Sequence, residues 1–205
     1  IMVGDIHGEF KHLIKLMKKI RFDPKKDKLI FLGDFISKGP DSTKVLDWAI
    51  ANNIECVLGN HELYVLQNYA RFHNLETPWF VSTNSTTTVP ERFLNIADKF
   101  NDDPEFLLAK KLQPEHVKYI NSCPVIKKLG KVPFHKPELN NGTFKAIEGV
   151  AVHAGLRWDL YDQLEEQSPL SCLEMRKLVP PLDRKIVGVG KSVDLGGRRI
   201  IKNKK

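Results

Sequence analysis

Four short apolar runs punctuate the chain, and each ends in a polar, turn-forming cluster. Ile1 to Val3 leads into Gly4-Asp5-Ile6-His7-Gly8, and Leu29 to Leu32 leads into Gly33-Asp34. Ile54 to Leu58 leads into Gly59-Asn60-His61-Glu62, and Val150 to Val152 leads into His153-Ala154-Gly155. Short apolar runs bounded by glycine predict buried strands. Helical periods lie between them. Phe10, Leu13, Ile14, Met17 and Ile20 recur at helical spacing, with Lys11, Lys15, Lys18 and Lys19 largely on the other faces. Val45, Leu46, Ala49 and Ile50 repeat the pattern after Pro40-Asp41-Ser42, which suits a helix N-terminus. A third helix is expected from His61 past Tyr69. Strand and helix alternate, which predicts parallel crossovers and an α/β sheet.

The rhythm breaks between about Thr77 and Leu129. Ser82 to Thr88 is polar and loop-like, whereas Pro90 to Phe100, Asp103 to Leu112 and Pro114 to Ser122 have helical character. This stretch, 77–129, reads as a helical insertion over the site. Gly130 to Gly149, rich in Pro, Gly and Asn, predicts a hairpin or a long loop. The 205 residues suffice for one well-cored domain spanning 1–205. The chain opens in mid-strand and closes in mid-tail, so it reads as a piece of something longer, whose flanks could hold a targeting signal or membrane anchor. No run approaches the roughly 20 apolar residues that span a bilayer.

Charge changes the picture more than composition does. The formal net charge is +7 and the pI about 9.2. The excess is clustered, from Lys11 to Lys28 and from Arg198 to Lys205. Such patches attract polyanions: nucleic acid, polyphosphate or acidic lipid. Cys56, Cys123 and Cys172 show no metal-site or framework spacing and read as buried, inert thiols. Asn84 and Asn141 open N-glycosylation sequons.

The chemistry sits at the strand ends. Asp5, His7, Asp34, Asn60 and His153 each follow an apolar run, where loops at the carboxyl edge of an open α/β sheet converge. They offer only oxygen and nitrogen donors, which suits Mn, Fe, Zn or Co ions better than a thiolate-selected metal. Any one of these turns alone carries little information; the four in series carry much more.

Together GDIHG, GDFISKGP, VLGNHE and VHAG resemble the signatures of the calcineurin-like metallophosphoesterases, within the phosphoprotein-phosphatase superfamily. The resemblance runs from Val3 to about Arg176. It implies an α/β fold, the four-layer αββα sandwich, and two divalent metal ions that deliver a bridging hydroxide. It also implies that Asp5 and His7 bind the first metal, that Asp34 bridges, and that Asn60 and His153 bind the second. His61 would be the general acid. Protein Ser/Thr phosphatases carry GDxxDRG and RGNHE, where this chain has Ser37, Lys38 and Leu58. The Asp that would orient His61 in that motif is thus absent, with Ser37 in its place. A further metal-binding His is not found after His153, so either it lies beyond Lys205 or the second site is degenerate.

VLGNHELYVL and HAGLRWDL resemble the ApaH-like branch, named for bacterial diadenosine tetraphosphate hydrolases. KKDKLIFLGDFISKGPDS, the segment from Tyr69 to His73, and Glu174-Met175-Arg176 resemble the fungal vacuolar endopolyphosphatase of that branch. This implies internal cleavage of inorganic polyphosphate, with Lys38, Arg176 and Arg71 as phosphate-binding residues, a polyanionic substrate as the partner, no obligate protein partner, and a place in the vacuole lumen. The alternatives are a dinucleoside-polyphosphate or mRNA-cap pyrophosphohydrolase or, from another class, a catalytically weak module that binds polyphosphate or nucleic acid.

Overall fold

Parallel pairing organises the N-terminal part of the chain. In the computed structural model, which describes residues 1–75, 103–134, 145–160 and 162–175, strands β1 (Met2–Val3), β2 (Ile30–Phe31) and β3 (Glu55–Cys56) join in that order, all parallel. The strands are short, but the backbone ladder runs past their ends. Leu32 N–H donates to Val3 O at 2.9 Å, His7 N–H to Asp34 O at 2.9 Å, and Gly8 N–H to Phe35 O at 3.0 Å. The loops after β1 and β2 are therefore held side by side by the same hydrogen bonding that builds the sheet.

The predicted helices follow. They are α1 (Phe10–Ile20), α2 (Ser42–Ala51) and α3 (Asn60–Phe72). Leu13 and Met17 of α1 and Val45, Leu46 and Ala49 of α2 are buried, as the periodicity requires. The core collects Phe31, Phe35, Ile36, Leu46, Val57 and Val65, all fully buried. Each such side chain contributes roughly 1.5–3 kcal/mol of burial free energy. Phe31 packs between Phe35 and Trp48, with ring centroids 5.5 and 6.4 Å away.

Two shorter helices come from the predicted insertion, α4 (Pro104–Ala109) and α5 (Pro114–Asn121). Each begins with proline, whose missing N–H is not needed at a helix start. Asp103 caps α4, its Oδ1 accepting from Glu105 N–H at 3.0 Å. His116 of α5 accepts at Nδ1 from Gln113 N–H (3.2 Å), so its Nε2–H donates to Asp47 Oδ1 on α2 (2.8 Å). The expected helix Pro90–Phe100, the polar tract Ser82–Thr88 and both sequons lie outside the described residues.

One expectation about the cysteines is corrected. Cys56 and Cys123 form a disulfide, and only Cys172 is a free, buried thiol. The end of α5 runs beside β3, where Leu58 N–H donates to Pro124 O at 2.9 Å. That brings the two Cα atoms to 5.1 Å, within the reach of a disulfide. A separation of 67 residues follows no spacing rule, so no local pattern marks the pair.

The chain divides into two compact units, Ile1–Val125 and Ile126–Lys205. In the second unit, β4 (Ile126–Phe134) and β5 (Lys145–Val152) pair antiparallel, with an irregularity between Lys128 and Gly130. Of the hairpin and the long loop left open by the sequence, the strands show the hairpin. Gly130 adopts φ +71° at the irregularity, a conformation that glycine takes without strain. Two 3₁₀ turns, Trp158–Leu160 and Leu164–Glu166, precede α6 (Pro169–Glu174). Buried Gln167 ties this segment, accepting from Arg157 N–H at 2.8 Å and donating to Arg157 O and Leu160 O, each at 2.9 Å. Among the described residues no helix is long and apolar enough to cross a membrane.

Candidate metal centre

Backbone strain marks the site before any side chain does. Asp5, His7, Asp34, Ser37 and Lys38 all have positive φ, between 47° and 71°. Left-handed backbone in non-glycine residues is uncommon and costs about 1–3 kcal/mol each where it is strained, and it gathers at functional sites. These five occupy the two adjacent loops that follow β1 and β2.

A third loop, Gly59 to His61, opens α3, and Glu62 clamps it to the second. The Glu62 carboxylate is completely buried. It accepts from the backbone N–H groups of Asp34 (2.7 Å), Phe35 (2.9 Å), Ile36 (3.2 Å) and Gly59 (2.9 Å). Burial, and then the nearby Asp34 carboxylate, push Glu62 up to about 7 against the pull of those donors. A β-carbon at position 59 would collide with Asp34 N and with the Glu62 carboxylate, so this approach requires glycine.

The clamp brings side chains together. His7, Asp34 and His61 each offer a ligand atom within 4.8 Å of the others. His7 Nε2 and His61 Nε2 stand 3.8 and 4.0 Å from Asp34 Oδ2. His61 N–H reaches Asp34 Oδ1 at 3.4 Å, so the start of α3 also steadies that carboxylate. Asp5 offers an oxygen within 4.8 Å of one from Asp34. Asn60 is the first residue of α3 and half-buried. Lys38, exposed, places Nζ 3.3 Å from His7 Nε2.

These residues fit a divalent cation. His7 Nε2, the ring nitrogen that faces Asp34 Oδ2, stands beside carboxylate oxygens of the kind that share such an ion. Burial, and then the Lys38 charge, lower the pKa of His7. That favours the neutral imidazole, the form that binds metals. The oxygen and nitrogen donors suit borderline first-row ions; they do not say which one.

His153 belongs to the second unit, directly after β5, and is buried. Arg71 is exposed in the last turn of α3. At 1.5 Å per residue it lies about 15 Å along the helix from His61, and the structure does not bring it to the cluster. Arg176 lies outside the described residues.

Two carboxylates escaped the sequence reading. Glu62 was visible as the last letter of GNHE, but its clamping role was not. Glu105 had no signal at all. It meets His61 Nδ1 through Oε1, and the same oxygen accepts from Ser37 Oγ at 2.6 Å. Position 37 carries no acid, and the carboxylate beside His61 comes instead from α4. Burial alone would raise Glu105, but hydrogen bonds from His61, Asp103 and Ser37 outweigh it and hold the group well below the usual carboxylate range. Burial, and next its hydrogen bond to Glu105, push Asp103 up to about 6.

Comparison with known proteins places this geometry. Residues 1–170 match the model of the calcineurin-like phosphoesterase family. A symmetrical bis(5'-nucleosyl)-tetraphosphatase from Methylobacillus flagellatus is 42% identical over 80 residues, covering 37% of this chain and 29% of that protein. Its counterpart from Photorhabdus laumondii is 34% identical over 114 residues, covering 52% and 42%. The chain thus spans less than half the length of these curated relatives. A crystal structure provisionally described as a diadenosine tetraphosphatase shares the fold, with a TM-score of 0.57 at 22% identity, covering 88% of this chain and 60% of that one. The vacuolar placement read from a fungal resemblance is overturned, because the relatives found are bacterial tetraphosphatases.

Proposed function

The chain belongs to the calcineurin-like phosphoesterase family, and from that premise we propose that it hydrolyses a phosphoanhydride bond of a dinucleoside polyphosphate with the help of two divalent cations. The observation that carries the reading is the meeting of His7, Asp34 and His61 at the carboxyl edge of a parallel sheet. The tetraphosphatase relatives favour a dinucleotide over other anhydrides.

In this reading Asp5 and His7 would hold the first cation, Asp34 would serve both, and Asn60, with His153 as the sequence resemblance implies, would hold the second. Bound cations of this kind supply an activated water and neutralise charge on the phosphoryl group. The remaining work falls to the chain itself. His61 Nε2, the ring nitrogen that faces Asp34, gives a proton to the departing oxygen. Lys38 neutralises a substrate phosphate as a point charge. Glu62 keeps the two ligand loops in register, so these groups are placed before substrate arrives.

A second reading, internal cleavage of inorganic polyphosphate, is favoured by one feature. Lys11, Lys15, Lys18, Lys19 and Arg21 form an exposed basic face along α1, which suits a long polyanion without bases. The deciding assay offers the purified, Mn²⁺-loaded protein diadenosine tetraphosphate, long polyphosphate and a phosphopeptide side by side. ADP, or ATP with AMP, as the fastest product supports the first reading. Faster shortening of polyphosphate supports the second. Faster turnover of the phosphopeptide contradicts both.

A further inference from the structure

We propose that Glu105 is the positioning residue for His61, fixing which ring nitrogen faces the reaction. The inference rests on the reading of His61 as the proton donor and adds the device that orients it.

Three observations converge. The first is the bond itself: Glu105 Oε1 meets His61 Nδ1, and the two side chains are only 11% and 14% exposed. A carboxylate accepts and does not donate when ionised. It therefore favours the tautomer with its hydrogen on Nδ1 and leaves Nε2 turned toward the site, as histidine tautomers are commonly set. Nε2 is the atom that faces Asp34 Oδ2, at 4.0 Å. The second is the anchoring of Glu105. Ser37 Oγ donates to the same Oε1 at 2.6 Å, which ties the carboxylate to the loop that carries Asp34. The Asp103 cap fixes the start of its helix. The third is the docking of α4 on α3, the helix that begins beside His61. Phe106 packs on Phe72 with centroids 4.8 Å apart, and Lys110 Nζ lies over both rings at 4.6 and 5.3 Å.

A merely structural ion pair would need neither a particular nitrogen nor a tie to the Asp34 loop. Burial of the pair alone is weak grounds for a role, since buried pairs often add little net stability. The arrangement is specific in a way that stability does not demand. One carboxylate oxygen serves a ring nitrogen of one loop and a hydroxyl of another, and the remaining ring nitrogen points at the candidate ligand.

The test reads the tautomer directly. Protein carrying ¹⁵N-histidine is examined where the ring is neutral, with His61 signals assigned by their loss in His61→Ala. Wild type should show the proton on Nδ1, and Glu105→Ala should move it largely to Nε2. In parallel, Glu105→Ala and the near-isosteric Glu105→Gln are assayed with Mn²⁺. Both should lose about 10–100-fold on diadenosine tetraphosphate, the usual cost of removing an orienting partner, and much less on nitrophenyl phosphate, whose leaving group needs no proton. Metal content should stay at the wild-type level. An unchanged tautomer in Glu105→Ala, or an equal loss on the two substrates, overturns the proposal. If Glu105→Ala does not fold, the Glu105→Gln rates decide. Should wild type not cleave the tetraphosphate at all, the functional reading fails, while the tautomer still decides the role of Glu105.

Discussion

Ser37 Oγ donates to Glu105 Oε1 at 2.6 Å, across 68 residues of sequence. The hydroxyl stands where the protein phosphatases carry a carboxylate, and here it supports a carboxylate brought from another helix. Ser37→Asp should crowd like charges around Glu105 and Asp103 and lower turnover, although Asp tolerates the left-handed backbone at φ 71°. Adding Glu105→Ala to Ser37→Asp should recover part of the loss. The check is the double-mutant cycle in kcat/KM; strictly additive losses would show that the two positions do not share a role.

Glu62 should prove a stability residue as well as a site residue. Glu62→Ala orphans four backbone donors, those of Asp34, Phe35, Ile36 and Gly59. With unsatisfied buried groups costing about 1–3 kcal/mol each and partial relaxation by water, a loss of at least about 3 kcal/mol is expected. Denaturant unfolding of the metal-free protein measures it. A loss under about 1 kcal/mol would mean that the clamp is not built as described.

The Cys56–Cys123 bridge closes a loop with a sequence separation of 67. Loop-closure entropy for such a span amounts to about 4 kcal/mol. Cys123→Ser, or reduction of the wild type, should lower the unfolding free energy by an amount of that order. Mass spectrometry of the unreduced protein verifies the bridge first. Because the bridge ties β3 to the end of α5, reduction should also weaken metal binding through the Gly59–His61 loop that β3 leads into.

Much of this was legible in the sequence. Helical periodicity placed α1 and α2 almost to the residue, because buried Leu13, Met17, Val45, Leu46 and Ala49 recur on one face. The strand ends placed Asp5, His7, Asp34 and His61 together, because parallel strands deliver their following loops to a common edge. What stayed hidden depends on contacts across long separations. Glu105 reaches His61 over 44 residues, and Cys123 reaches Cys56 over 67. Neither leaves a local pattern. The positive φ of His7, Ser37 and Lys38 was equally invisible, since those residue types do not announce a left-handed backbone.

His61 should act on the leaving group and not hold a metal, even though its ring lies close enough to Asp34 to be a ligand. His61→Ala should keep full metal content and lose about 10²–10⁴-fold in rate on diadenosine tetraphosphate. Metal analysis of the purified variant, paired with rates on good and poor leaving groups, separates the roles. A fall in bound metal would make His61 a ligand instead.

Anomalous diffraction from crystals grown with Mn²⁺ reads the proposed two-cation centre itself. Two anomalous peaks about 3.5–4 Å apart are expected, with Asp34 in contact with both and His7 with one. Both peaks should fade in Asp34→Asn. A single peak, or peaks that keep full height without the Asp34 carboxylate, would contradict the proposal.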